Sequence, residues 1–238
     1  MPFAGFDSAS YPGDSLMQDL WDNSNLYWVG FYLPVSGPGL ENKLTWKLKY
    51  KVLRDIGWGV APLYVGKQPN SAKLNLKKGQ EQPDGYRDGM EAAGFASAEG
   101  MPPRTVLYFD LEIPTNDRAW KDHYLGWTKA LLDQGYVPGL YCSYLSATPM
   151  ADFIRQRDPR AVPEIWAWRI DKYPAGQVYS DLNAVPAPDP AGSTAASATS
   201  WQFVQKSHLT LHGHRVDPVD FDSSSYTDPG QRTVSTTP

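Results

Sequence analysis

Thr105-Val106-Leu107-Tyr108-Phe109-Asp110-Leu111-Glu112 decides how this chain is read. It is an apolar run, rich in β-branched and aromatic residues, that ends in two carboxylates. Such a run reads as a strand buried on both faces. Side chains alternate along a strand, so Asp110 and Glu112 point the same way. Two acids at the end of a buried strand are costly unless they are paired, solvated or used. Taken alone, the stretch is equally a strand that simply reaches water. What matters is whether other strands bring acids to the same place.

Working outward, seven further stretches read as strands: 3–7, 28–33 (stopped by Pro34), 58–65, 137–144, 164–171, 201–205 and 215–222. Helical signals separate the first five strands and introduce the sixth. A weak helix is predicted over Asp14 to Asn25. A second, capped by Thr45, carries Leu48, Val52 and Ile56 and stops at Gly57. A third runs from Asp84 to Glu99 with Met90, Ala93 and Ser97 along one side. The fourth begins at Asn116 or Asp117, and its stripe of Trp120, Tyr124, Trp127 and Leu131 is the clearest amphipathic pattern present. Thr148 and Pro149 open a fifth, bearing Met150, Phe153 and Ile154. Val35 to Glu41 reads as a Gly/Pro loop, and Gln68 to Gln82 as a polar, Lys-rich one.

Strands alternating with helices predict a parallel sheet, and eight strands predict a closed barrel. The expected fold class is therefore α/β: a TIM-like barrel of five β/α units followed by three strands with few or no helices. The expected layout is one domain over 1–226, in which 173–200 is a long insertion loop, either a lid or a mobile excursion. A flexible polar tail follows over 227–238.

Composition narrows the function. The chain has 238 residues, 41% of them hydrophobic, enough for a sizeable core, and a net charge of -4. Its Lys and Arg are scattered, which gives no footing for a nucleic-acid partner. The lone cysteine, Cys142, excludes an internal disulfide and lies in an apolar run, where an inert thiol is expected. No run approaches the roughly 20 apolar residues of a membrane span. Met1 leads at once into a strand-like run with no signal-peptide pattern, so the expectation is a cytoplasmic protein or one brought to the cell envelope by another route, such as a phage or a removed leader.

In such barrels chemistry sits where strands end. Asp7, Asp110 with Glu112, Asp171, and Asp220 with Asp222 all fall at predicted strand ends. The first and last strands adjoin when a barrel closes, so Asp7 should meet Asp220 and Asp222, with Asp110 and Glu112 facing them. Three chemistries fit such a ring: glycoside hydrolysis by an acid of raised pKa with a second carboxylate, a hard-cation site, or a structural set bonded to the backbone and to Arg169 or Arg215. Tyr141, Trp166, Trp168, Trp201 and Gln202 are candidate sugar contacts, although core packing claims at least half of the aromatics. His212-Gly213-His214 is a weak metal signal, and no metal or cofactor is predicted.

Phe6-Asp7, Phe31-Tyr32-Leu33-Pro34, Leu44-Thr45, Gly57-x-Gly59-Val60, Gly100-Met101-Pro102 and Val106 to Glu112 appear in order. They are followed by Gly139-Leu140-Tyr141-x-Ser143, Ile165-Trp166-Ala167-Trp168, Trp201-Gln202 and Val219-Asp220-Phe221-Asp222. Together they resemble a glycoside-hydrolase-like domain of unknown function found in actinobacteria and other Gram-positive bacteria. More distantly they are similar to the family 25 glycoside hydrolases, the lysozyme-like muramidases. The resemblance implies a barrel of five β/α units and three further strands. It also implies a peptidoglycan substrate cleaved at β-1,4 bonds, with Glu112 as general acid, Asp110 assisting, and Asp7 and Asp220 as flanking aspartates. Asp222 departs from the pattern, since many muramidases carry Asn there. The alternative is a catalytically silent barrel that binds a glycan or serves with an assembly partner in a phage or cell-envelope particle.

Overall fold

The computed structural model describes residues 1–34, 45–68, 76, 78–179 and 181–234, with the side chains of His214 and Asp217 outside the description. The predicted Gly/Pro loop at Val35 to Glu41, Leu44, most of the Lys-rich stretch and the chain end from 235 lie outside the described residues.

Nine strands form one sheet: β1 (Phe3–Asp7), β2 (Leu26–Tyr32), β3 (Gly59–Val65), β4 (Val106–Leu111), β5 (Val137–Ser143), β6 (Glu164–Trp168), β7 (Val178–Tyr179), β8 (Ala198–Leu211) and β9 (His214–Ser224). Their order is β6-β5-β4-β3-β2-β1-β9-β8-β7, and a further β6–β8 pairing closes eight of them into a barrel, leaving the two-residue β7 outside it. Among the described residues five α-helices stand between successive strands: α1 (Asp14–Asp22), α2 (Tyr50–Ile56), α3 (Glu81–Ala98), α4 (Arg118–Asp133) and α5 (Tyr144–Arg157).

One strand runs against the expected direction. β8 is parallel to β6, but β9 is antiparallel to both β8 and β1. The cause is local. Only His212 and Gly213 separate the two strands, both at positive φ (48° and 81°), the backbone of a two-residue hairpin turn. A two-residue turn can only return the chain antiparallel. β8 is also 14 residues long where five were expected, and His208 belongs to it.

Helix starts differ from the expected caps. Thr45 does not cap α2; its Oγ1 accepts the Tyr11 N–H at 2.7 Å. The buried Glu99 carboxylate serves instead, accepting the N–H groups of Leu48 (2.7 Å) and Tyr50 (3.4 Å). An acid at a helix start also suits the macrodipole. Asp84 lies within the first turn of α3, which buries Gly85, Gly89, Ala92, Ala93 and Ala96 rather than Met90 or Ser97. These small residues let α3 approach α4 so closely that a Cβ on Gly85 would lie 1.8 Å from the His123 carbonyl. The predicted stripe of α4 is buried throughout. α5 is capped by Ser143, whose side chain accepts the Leu145 N–H, and Pro149 falls inside it rather than at its start.

The barrel interior is aromatic. Trp166 is fully buried, with Trp28, Tyr108 and Tyr141 edge-on to it at 5.2, 5.6 and 5.1 Å. Among the described residues no α-helix packs on the outer face of β8 and β9. The segment after β6 does so instead. Tyr173 packs on Phe203 and Trp201 (5.1 and 6.0 Å) and Tyr179 on Phe221 (4.4 Å), while Leu182 and Val185 are buried further along. Two short 3-10 turns in this segment are capped by Asp181 and Asp189. The stretch predicted as an excursion loop thus fills a helix's place by burying apolar side chains.

Residues 227–233 do not fray. They clasp the end of the barrel where the parallel strands begin. Asp228 accepts the Val60 N–H (3.2 Å) and pairs with Arg54 (2.6 Å); Gly230 donates to the Val60 carbonyl (3.0 Å) and accepts from the Val106 N–H (2.8 Å). Polar composition alone predicts a loose tail; these backbone bonds bury it. Removing the Asp228 carboxylate strands the Val60 N–H. Asp228→Ala should therefore cost about 2–3 kcal/mol, discounted because Arg54 is 37% exposed and solvent screens it. Urea unfolding measures this; a loss below about 0.5 kcal/mol, the range of ordinary surface changes, would show that the clasp contributes little.

Candidate active site

A pocket of about 210 Å³ opens where β1 to β6 end. Its carboxylates are Asp7, Asp110, Glu112 and Asp220; Tyr32, Tyr141, Trp168, Ile170, Gln202 and Gln205 complete the wall. The antiparallel hairpin brings Asp220 there. The β1–β9 register sets Asp7 opposite Asp220 and Gly5 opposite Asp222, so Asp220 is level with Asp7 and Asp222 lies one layer deeper. Around the closed ring β4 stands opposite β9, so Asp110 and Glu112 face this group across the opening.

Neutral donors hold the β1/β9 acids. The Tyr32 hydroxyl donates to Asp7 Oδ1 at 2.7 Å. Gln202 Nε2 donates to Asp220 Oδ2 at 2.7 Å and reaches Asp7 Oδ2 at 3.4 Å, while Gln202 Oε1 accepts the Tyr141 hydroxyl at 2.9 Å. Lys206, at φ 55°, turns its backbone N–H onto Asp220 Oδ1 at 2.7 Å. Below them Trp166 Nε1 donates to Asp222 Oδ1 at 3.0 Å.

Burial and neighbouring like charges favour retained protons here, and the donated hydrogen bonds oppose them. Burial, then the Asp7 charge, pushes Asp220 up to about 7 from 3.8, against the pull of the Lys206 amide. Asp222, fully buried, is driven well above the usual carboxylate range, first by burial and then by Asp7 and Asp220. Burial and then neighbouring carboxylates raise the Tyr32 and Tyr141 phenols, so both remain protonated donors. Glu112 lies one residue beyond β4 and is exposed, whereas Asp110 is 2% exposed.

Of the residues singled out from sequence, Asp7, Asp110, Glu112, Asp220, Tyr141, Trp168 and Gln202 meet at this pocket. Three do not reach its wall. Asp222 is beneath it, and Trp166 fills the barrel. Trp201 faces outward: it packs on Tyr173 and its indole N–H is donated to the Arg169 carbonyl at 3.0 Å. Residues 200 and 202 point into the barrel, so alternation sends 201 outside. Asp171 also leaves the ring, because β6 stops at Trp168. Its carboxylate is exposed, bonded to Arg169 at 2.8 Å, and held below the usual range by that bond. Tyr32 was missed. Its position two residues from Gly30 and four from Trp28, on the inward face of β2, was the available signal. Among the described residues no three His, Cys, Asp or Glu side chains converge as metal ligands.

A closed barrel with buried and exposed carboxylates around one mouth is the architecture of a glycoside-hydrolase-like protein. Residues 19–224 match the Rv2525c-like, glycoside hydrolase-like domain, and the chain belongs to that family. Similar solved structures include an uncharacterized B. stearothermophilus protein (TM-score 0.67, 22% identity, 94% of this chain and 96% of that one). The Mycobacterium tuberculosis Tat-secreted protein Rv2525c aligns over 97% of this chain and 99% of its own (TM-score 0.57, 14% identity). The catalytic domain of endolysin ply40 from bacteriophage P40 of Listeria monocytogenes aligns over 94% of each chain (TM-score 0.52, 14% identity). At these identities the likeness is one of fold. No curated protein matches the chain.

The raised Asp220 predicts a pH dependence. The unfolded carboxyl releases its proton near 3.8 and the folded one near 7, so in between the folded state binds more protons. Its contribution to stability is fully present below about 4 and is lost as pH rises to about 7. Asp220→Asn should flatten this part of the profile. Urea midpoints at pH 5 and 8 for both proteins measure it; identical slopes would contradict the assignment.

Proposed function

We propose that this protein is a glycoside hydrolase of the bacterial cell wall, cleaving β-1,4 bonds of peptidoglycan. In this reading the barrel is TIM-like, with five β/α units kept and the last three strands closing it without helices. The observation that carries the proposal is the convergence of Asp7, Asp110, Glu112 and Asp220 on one open pocket. Glycosidic cleavage needs an acid for the leaving oxygen and a second carboxyl for the developing positive charge. The exposure of Glu112 at the rim supports its reading as the general acid, since it can exchange protons with substrate and water. Asp110, almost buried, assists from the same strand face. Asp7 and Asp220 form the opposite wall, and the aromatic side chains of Trp168 and Tyr141 on that pocket are the sugar contacts in this reading.

Wild-type protein should release reducing ends from purified peptidoglycan, and Glu112→Gln should lower turnover by roughly 10²–10⁴-fold with the fold intact. If the wild type binds peptidoglycan fragments but releases no reducing sugar from any wall preparation, hydrolysis is wrong and the barrel is a glycan-binding module. If it neither binds nor cleaves and co-purifies in a large particle, its role is structural.

A further inference from the structure

The β3–β4 ladder ends where Val65 pairs with Asp110, and β3 stops there. On its other side β4 keeps a partner one residue further, at Leu111 and Cys142. Glu112 lies beyond both. At this point a side chain continues the sheet. Gln68 Nε2 donates to the Asp110 carbonyl at 2.7 Å, and Gln68 Oε1 accepts the Glu112 backbone N–H at 3.0 Å. A parallel strand residue makes the same two bonds, donating to one residue and accepting from the residue two positions on.

The geometry points to Gln68 as the positioning residue for Glu112: its carboxamide stands in for a β3 residue opposite Leu111 and fixes the backbone from which the Glu112 side chain leaves the barrel. Its catalytic consequence rests on the reading of Glu112 as the acid; its structural consequence does not. The chemistry is selective for glutamine. The group must donate and accept at once, which an ionised glutamate cannot do, and asparagine is one methylene shorter.

Amide hydrogen exchange and steady-state kinetics on the full chain test this together. In Gln68→Ala the Glu112 amide should exchange at least about 10-fold faster, while the Leu107 and Phe109 amides and the urea midpoint stay at wild-type values. Turnover should fall about 10- to 100-fold in kcat with KM within about twofold, the signature of a misplaced catalytic group rather than lost binding. Gln68→Glu sets a carboxylate oxygen against the Asp110 carbonyl and should leave the Glu112 amide exchanging as fast as in Gln68→Ala; full protection in this variant would contradict the two-bond reading. Unchanged Glu112 exchange in Gln68→Ala overturns the proposal, and faster exchange with unchanged kcat overturns its catalytic part. If the wild type proves inactive on every wall preparation, the hydrolase reading fails on its own, and the exchange result still decides whether Gln68 holds Glu112.

Discussion

The pairing of β1 with an antiparallel β9 is the constraint on which the rest depends. It closes the barrel, and its register puts Asp7 beside Asp220 with Asp222 one layer below. Three carboxyls this close and this buried cannot all be charged at modest cost. The structure meets the difficulty with neutral donors, Tyr32, Gln202, the Lys206 amide and Trp166, and with retained protons on Asp222 and, near neutrality, on Asp220. The Lys206 backbone is held at positive φ where it donates to Asp220, a local departure from extended strand that the surrounding sheet sustains.

Across the opening, β4 sets a contrasting environment. Asp110 is buried at the strand end and Glu112 stands in solvent just past it. The two halves of the pocket thus differ in their exposure and in their partners: one is enclosed and holds protons, the other reaches the entrance. Such separation of environments lets carboxylates of one chemical type take different roles. The clasp at 227–233 works at the far end, tying the starts of β3 and β4, so the strand that carries Asp110 is also held at the end away from the pocket.

Much of this was legible in sequence because it followed from period and position. The buried run ending in Asp110 and Glu112, the aromatic stripe of α4, and the loss of helices after the sixth strand each had a direct physical signature. What escaped was set by few residues or by tertiary partners. The hairpin at His212-Gly213 reverses β9, and its two-residue spacing was available but weak amid three histidines. The acids still met at the right level because β9 pairs with β1 only from Asp220 to Ser224, and that paired part begins opposite Asp7. Trp201 was placed at the mouth although the inward alternation of Gln202 required it outside. Glu99 displaced Thr45 as a cap, and the clasp tail was polar in composition yet buried through backbone bonds, neither of which local pattern reveals. Gln68 sat in a run that reads as loop, and only the meeting of its amide with β4 distinguishes it.

The central claim is that the two carboxylate groups address one bound glycan. A crystal structure of Glu112→Gln with a cell-wall tetrasaccharide tests it most directly. The account predicts a glycosidic oxygen within hydrogen-bond reach of residue 112, with Asp110 beside the same sugar and Asp7 and Asp220 lining its far side. A sugar bound elsewhere on the barrel, with the pocket between β4 and β9 empty of glycan, would contradict it.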